Sequence, residues 1–420
     1  MIFGLCDVNN FYVSCERSFN PALNNRPVIV LSNNDGCAVA RSNEVKALGV
    51  KMGAPLHQIQ NLVRKHDFAV FSSNYALYGD MSSRFESIIE SYTPEVEKYS
   101  CDEVFFQLDG LQHKGHLGAY MRKMVAEIKQ SLGLPVCVGL APTKTLCKIA
   151  NHYAKSLSVA GGVLALFSEY NLKNALEILP VNEVWGIGRK HTENLSKMGI
   201  TTALQLRDAD KKWIRKRFSV VVERTLMELR GVSCLELNDV PEKKKQIVCT
   251  RSFGEKTTDK TVLREAIGYH VSRACVDLRS QNSVAKSINV GIRTNPFSQN
   301  DTQSVRSITV ELPYASDDTR DFQAAASQAL NRIYQTGYLY KKAGIMLNGL
   351  SDKGVVQYDL FNQQKPQDDA IMGVMDQINN KYGKDVLRCG SQGFNASWVM
   401  KSERRSPRYT TQWNDVIGVT

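Results

Sequence analysis

An apolar run through Ile2–Cys6 stops at Asp7, the pattern of a short buried strand. Val28–Leu31 is a second such run, closed by the turn cluster Ser32-Asn33-Asn34-Asp35-Gly36. Ser42–Gly49 predicts a two-turn helix, with Ser at its start and Gly just past its end. Between Asn74 and Tyr92 apolar residues recur at 78, 81, 85, 88, 89 and 92, a helical spacing halted by Thr93-Pro94. Glu95–Ser100 and Val104–Asp109 predict a hairpin around Cys101-Asp102-Glu103. Leu117–Leu132 is a helix, Val136–Ala141 a strand and Thr143–Lys155 a helix. With the inserted piece around 20–75 set aside, the order is β, α, β, β, α, β, a sheet with helices on one face.

From about 170 to 240 the pattern is only helical, with the basic cluster Lys211, Lys212, Arg215, Lys216, Arg217. Pro241-Glu242-Lys243-Lys244-Lys245 is a charged linker. A second βαββαβ unit follows: strands at 247–253, 284–294, 303–312 and 340–350, helices at 259–281 and 317–335. Beyond Gly349 the chain is Gln/Asn-rich, a composition that predicts weak structure.

Composition narrows the class. A chain of 420 residues predicts roughly two to four domains. Apolar content of 43 % suffices for ordinary cores, and 23 % charged residues is far from a disordered bias. No run of about 18 apolar residues occurs, so no membrane span is expected. The N-terminus lacks a basic leader, and Asp7 interrupts its apolar stretch, unlike a signal peptide. Ten scattered cysteines without a CxxC pair predict free thiols in a reducing cytosol. His113 and His116 stand apart from other ligand types and predict an exposed loop. The net charge of +11 points to a polyanionic partner, most simply nucleic acid. Residues 241–350 alone contribute 16 − 10 = +6 of it.

Three carboxylates hold the candidate chemistry. Asp7 ends a buried strand, where a charge is expensive unless it faces a site. Asp102 and Glu103 share a hairpin tip. In a βαββαβ sheet that strand and hairpin are central neighbours, so the three acids can converge at one edge. Clustered anions repel unless a cation neutralises them, and Mg²⁺ is the hard, oxygen-seeking choice. Two such ions about 3.5–4 Å apart can clamp an in-line phosphoryl displacement. A solvated acidic hairpin tip is the alternative, and these residues alone leave both open.

Thr143 is a plausible N-cap, and Lys144, Lys148, Asn151 and Lys155 form one stripe on the helix it starts. A basic stripe at a helix start suits a triphosphate; a solvated face is the alternative. Phe11 and Tyr12 follow the first acid: Phe11 suits core packing, and Tyr12 lies close enough to reach a bound sugar. Trp185-Gly186-Ile187-Gly188-Arg189-Lys190, a helix and Gly199-Ile200 resemble a helix-hairpin-helix, a sequence-blind binder of DNA backbone.

Together these residues resemble the Y-family of translesion DNA polymerases, within it the UmuC-like branch. The likeness spans nearly the whole chain. Its most specific strings are Asp7-Val8-Asn9-Asn10-Phe11-Tyr12, residues 32–36, Lys51-Met52-Gly53, Phe71-Ser72-Ser73-Asn74-Tyr75 and Tyr99-Ser100-Cys101-Asp102-Glu103. Thr143-Lys144-Thr145, Val184-Trp185-Gly186-Ile187-Gly188, Arg251-Ser252-Phe253-Gly254 and Ser406-Pro407-Arg408-Tyr409-Thr410-Thr411 complete them.

The resemblance implies an α+β multidomain, right-handed polymerase. A ferredoxin-like palm would span 1–20 and 74–168, and small fingers 21–73. A helical thumb with the helix-hairpin-helix would span 169–240 and a linker 241–246. A βαββαβ little finger at 247–350 and a tail at 351–420 would follow. Asp7, Asp102 and Glu103 would be the catalytic metal ligands, with the main-chain carbonyl of Val8, around two Mg²⁺ ions. Tyr12 falls on the steric gate, whose ring collides with a ribonucleotide 2′-OH. Phe11, Arg41, Asn43, Lys46 and Lys148 fall among dNTP contacts. Gly186, Gly188, Arg189, Lys190 and Arg251 fall among DNA contacts. Gln357, Asp359, Leu360 and Phe361, around Tyr358, look like a sliding-clamp peptide. Cys101 stands where the family usually has Ile, Val104 where Ala is common, and Tyr358 where Leu is commoner.

The implied reaction is template-directed, error-prone DNA synthesis across lesions in the SOS response, by attack of a primer 3′-OH on the α-phosphate of a dNTP. Implied partners are primer-template DNA, a dimer of cleaved UmuD, RecA and the sliding clamp, with no membrane, in the bacterial cytoplasm at the nucleoid. A catalytically inactive DNA-binding homologue and a nucleotidyl cyclase with a similar palm are the rival readings.

Overall fold

The computed structural model describes residues 1–111, 116–157, 161–238, 243–354, 369–393, 398 and 400–418. The chain forms two compact units: Met1–Ser32 with Gly36–Pro241 and Glu403–Thr420, and Asn33–Asp35 with Glu242–Ser402.

The first unit begins β1 (Phe3–Val8), α1 (Phe11–Phe19), β2 (Val28–Leu31), β3 (Ala38–Arg41), α2 (Asn43–Ala47), α3 (Leu56–Lys65), β4 (Ala69–Ser72) and α4 (Tyr75–Tyr92). It continues β5 (Val96–Lys98), β6 (Glu103–Gln107), α5 (Leu117–Leu132), β7 (Val136–Ala141), α6 (Lys144–Ser156) and β8 (Val163–Ala165). Helices α7 (Glu169–Ile178), α8 (Arg189–Ser196), α9 (Ala203–Asp208), α10 (Lys211–Arg217) and α11 (Val220–Leu229) complete it.

Its main sheet has the order β5-β6-β1-β7-β8, so the first strand and the predicted hairpin are neighbours at the centre. Strand β1 runs antiparallel to both β6 and β7. Every residue of β1 and β7 is buried, as in a sheet covered on both sides. One face, with Cys6, Val8, Val104 and Phe106, packs on Phe85 and Ile89 of α4 and on Met121 and Ile128 of α5. The other, with Phe3, Leu5 and Phe105, packs on Leu146 and Ile149 of α6 and on the helical segment beyond it. The expectation of helices on one face therefore holds for α4 and α5 and is corrected for α6. The continuous apolar run in β1 is the signal of two-sided burial. Each large side chain so buried contributes about 1.5–3 kcal/mol. Helix α6 lies so close that a Cβ on Gly139 of β7 would meet the Cys147 carbonyl oxygen at 2.2 Å.

A second, three-stranded sheet, β3-β2-β4, is built from the inserted piece. Ile29, Leu31, Val45, Val50 and Ile59 form its core with α2 and α3.

The second unit holds β9 (Ile247–Thr257), α12 (Lys260–Ser280), β10 (Ser283–Thr294), β11 (Val305–Ser316), α13 (Thr319–Ile333), β12 (Tyr340–Asp352) and α14 (Asp369–Tyr382). The strands order β11-β10-β12-β9, antiparallel throughout. Leu263, Ile267, Val271 and Phe322 of the helices pack on Ile288, Val290, Ile345 and Leu347. Helix α14 corrects the expectation of weak structure beyond Gly349. Met372 and Met375 are buried, and Asp376 takes a two-pronged pair from Arg279 at 2.6 and 2.8 Å. Among the described residues no helix is long and apolar enough to cross a membrane, and the ten cysteines are free.

Candidate active site

The strand register brings the three acids to one end of the main sheet. Asp7 pairs across from Glu103, and the Val8 amide donates to the Asp102 carbonyl at 2.9 Å. Asp7 is only 8 % exposed. Burial lifts its carboxyl to about 6; the Lys155 ammonium opposes the rise, and the charges of Glu103 and Asp102 add to it.

Each acid has its own partner. Lys155 Nζ lies 2.7 Å from Asp7 Oδ2, and Lys148 Nζ lies 2.6 Å from Glu103 Oε1. The Ser100 hydroxyl donates to Asp102 Oδ1 at 2.6 Å. Among the described residues no three His, Cys, Asp or Glu side chains are gathered as a ready metal cage. The donor set nevertheless suits a hard divalent cation: clustered carboxylates at the end of adjoining strands, one of them with a pKa raised by burial and further by its anionic neighbours.

The stripe on α6 is distributed differently from the expectation of a triphosphate at the helix start. Thr143 caps the helix by accepting from the Leu146 amide at 3.3 Å, but the remaining N-terminal space belongs to Glu228. That wholly buried carboxylate accepts from the amides of Thr145, Cys234 and Leu235 at 3.1, 2.6 and 3.2 Å. Lys144 is buried against Glu97 at 2.5 Å, and Asn151 donates to the Cys137 carbonyl at 2.8 Å. Lys148 sits over the rings of Tyr99, Trp185 and Phe105 at 4.5, 5.4 and 5.7 Å. Lys155, two turns further on, is the stripe residue that reaches Asp7.

The inserted piece supplies more cations. Lys46 Nζ donates to Asn10 Oδ1 at 2.5 Å, and Asn10 Nδ2 donates to Asn43 Oδ1 at 3.0 Å. Asn10 adopts a left-handed conformation, φ 52°, in the turn between β1 and α1. Arg41 donates to the Val50 carbonyl at 2.5 Å, while its buried Nε has no partner among the described residues. The Lys46 ammonium is held below its ordinary pKa by burial, then by the charges of Arg41 and Lys155, with Asp7 pulling the other way. Lys46, Arg41 and Lys155 thus repel one another beside Asp7. Lys148 is engaged elsewhere, by Glu103 and the three rings. The resemblance assigns Lys148 to the triphosphate, and the stripe read as suiting a triphosphate also includes Lys155, the member that meets Asp7.

The Tyr12 ring stacks on Tyr78, centroids 4.3 Å apart and planes at 14°, and meets Tyr75 edge-on. Its hydroxyl lies 4.0 Å from the Cys101 thiol, and burial pushes its pKa up. Phe11 is buried in the core against Tyr78, so its ring is not open to a ligand.

In the helical segment Gly186 has φ 88°, a conformation that favours glycine, and Gly188 precedes α8. Arg189 and Lys190 are exposed at the start of α8. In the second unit Arg251 is exposed on the edge strand β9. Gln357, Asp359, Leu360 and Phe361 lie outside the described residues.

Residues 6–152 match the model of the impB/mucB/samB family, and residues 244–360 match that family's C-terminal domain. The chain is 43 % identical to Protein ImpB of Salmonella typhimurium over 99 % of both chains. It belongs to the impB/mucB/samB family. Identity to Protein UmuC of the same organism is 42 % over 100 % of both chains. To DNA polymerase IV of Moorella thermoacetica it is 29 %, over 91 % of this chain and 94 % of the other. The fold is that of the Y-family DNA polymerases. A Y-family polymerase chimera of Dbh and Dpo4 superposes with TM-score 0.64, 18 % identity, 84 % of this chain and 100 % of the other. Residues 369–419 match a domain of unknown function that accompanies the family domains in this chain.

Proposed function

We infer that the acid end of the main sheet joins deoxynucleotides to a primer 3′-OH on a template strand. The chain is a DNA-directed DNA polymerase of the translesion class, acting in SOS mutagenesis. One observation supports the assignment of the site: Asp7, register partner of Glu103, stands beside Lys155 and Lys46, and Arg41 and Lys155 crowd Lys46 with like charge. Acids beside mutually repelling cations suit a divalent ion that arrives with a triphosphate.

Asp7, Asp102 and Glu103, with the Val8 carbonyl, would hold two Mg²⁺ ions. Held by these residues, such ions would supply a lowered pKa for the attacking hydroxyl and neutralisation of charge at the phosphoryl group. Lys46 and Lys155 take the triphosphate oxygens, and Asn43 and Asn10 orient Lys46. Lys148 stays with Glu103 and holds that carboxylate in place. Arg41 adds long-range positive charge. Tyr12 lies under the sugar, where its ring excludes a 2′-OH. Gly186 and Gly188 free backbone amides for a DNA phosphate, with Arg189 and Lys190 beside them. Arg251 takes a phosphate in the second unit.

Gln357–Phe361 serves as the clamp peptide, and the cleaved UmuD dimer and RecA are the further partners, all in the bacterial cytoplasm. Intact acids weigh against an inactive homologue. The test is Mg²⁺-dependent extension of a primer across an abasic template, with and without those accessory proteins. Extension supports the reading. A cyclic nucleotide made without DNA, and no extension, would replace it with the cyclase.

A further inference from the structure

Residues 403–420 belong to the first unit, and Ser406 among them meets Glu16, which also holds the Tyr78 hydroxyl. The Arg404 amide donates to the Ser72 hydroxyl at 2.9 Å, and the Ser72 amide donates to the Arg404 carbonyl at 3.0 Å. Tyr409 stacks on Phe19 of α1, centroids 4.8 Å apart and planes at 11°. Between these anchors Ser406 is buried. Asn74, the N-cap of α4, donates to the Ser406 hydroxyl and carbonyl, both at 3.0 Å, and to the Pro407 carbonyl at 3.1 Å. The Ser406 hydroxyl in turn donates to Glu16 Oε1 at 2.9 Å.

That same Glu16 oxygen accepts from the Tyr78 hydroxyl at 2.6 Å. Glu16, Asn74 and Tyr78 are at most 2 % exposed. No cation pairs with Glu16 among the described residues. Burial raises its pKa, and the two hydroxyl donors hold the rise in check. A buried carboxylate with two hydroxyl donors fixes both partners, because losing either leaves charge unsatisfied. Tyr78 then carries the restraint to its other face, where the Tyr12 ring is stacked.

We propose that the C-terminal segment is a clasp that positions the sugar gate: Ser406, through Glu16 and Tyr78, fixes Tyr12 and so sets selection of deoxyribose over ribose. This gives a task to the end of the domain of unknown function. It rests on reading Tyr12 as the gate. Ser406, Glu16 and Tyr78 are positioning residues, since none is placed against the nucleotide.

The experiment is single-nucleotide primer extension by the full chain with a dNTP and the matching rNTP, giving kcat and KM for each. Ser406→Ala should lower the dNTP/rNTP ratio of kcat/KM about fivefold, the effect of one ordinary buried hydrogen bond. The change should come through rNTP use, with the dNTP kcat held; the melting temperature falls modestly, because Glu16 loses one of its two hydroxyl donors. Ser406→Thr should restore the ratio. Tyr78→Phe, which keeps the ring and deletes only the hydroxyl, should shift it the same way, and Tyr12→Ala should shift it most. A wild-type ratio in folded Ser406→Ala, with Tyr12→Ala relaxed, would overturn the clasp and leave the gate standing. If Ser406→Ala does not fold, a wild-type ratio in Tyr78→Phe overturns it instead. A wild-type ratio in Tyr12→Ala would overturn the gate and the clasp together.

Discussion

Replacing Lys155 with methionine keeps most of the stem of the side chain and removes one charge. Its Nζ lies 2.7 Å from Asp7 Oδ2, and the side chain is 39 % exposed. In the free protein burial already lifts Asp7 to about 6 against the pull of Lys155, so the variant lifts it further. In the substrate complex the triphosphate loses one charge-assisted hydrogen bond. Such a bond contributes about 1.5–3 kcal/mol, and partial exposure puts Lys155 at the low end, roughly tenfold in kcat/KM. Lys148→Met removes a cation from Glu103 and three aromatic rings. It should lower kcat and leave the dNTP KM close to wild type. Steady-state single-nucleotide insertion on a fixed primer-template measures both. A larger rise in KM for Lys148→Met than for Lys155→Met would refute the assignment of Lys155.

Burial, with the charges of Arg251 and Lys342, lowers the pKa of His270 to about 4. The unfolded chain takes up its proton near 6.5, so stability is full above that pH and falls as the pH drops toward 4. His270→Phe should remove about 2 kcal/mol of the stability lost between pH 7 and pH 5, read by urea unfolding; identical losses in both proteins would refute this. Glu228→Ala leaves three amide donors without their acceptor and should cost about 3 kcal/mol or more in the same assay, whereas Glu228→Gln should cost less. Replacing Arg189 and Lys190 together with Ala should reduce the slope of log K for duplex binding against log salt by about two; an unchanged slope would remove them from the phosphate contacts.

The convergence of the acids was legible in the sequence because it depends on local signals. An apolar run ending in Asp7, a hairpin tip of Asp102-Glu103 and the βαββαβ order suffice to make them neighbours. Less legible were features set by distant partners. Glu228 fills the start of α6 from 83 residues away, where the stripe of lysines suggested an anion from outside. Lys148 and Lys155 share one helical stripe, and only the fold decides which meets Asp7. The two-sided cover of β1 was written in its unbroken apolar run, yet the element order suggested helices on one face. Helix α14 was hidden by its polar Gln/Asn face, although Met372 and Met375 keep helical spacing. The Ser406–Glu16 contact joins residues 390 apart, beyond any local pattern.

The most direct test of the acid site is primer extension by Asp102→Ala beside the wild-type chain, with duplex binding measured on the same preparations. Loss of extension with binding retained is the predicted result. Equal extension by the two proteins would contradict it.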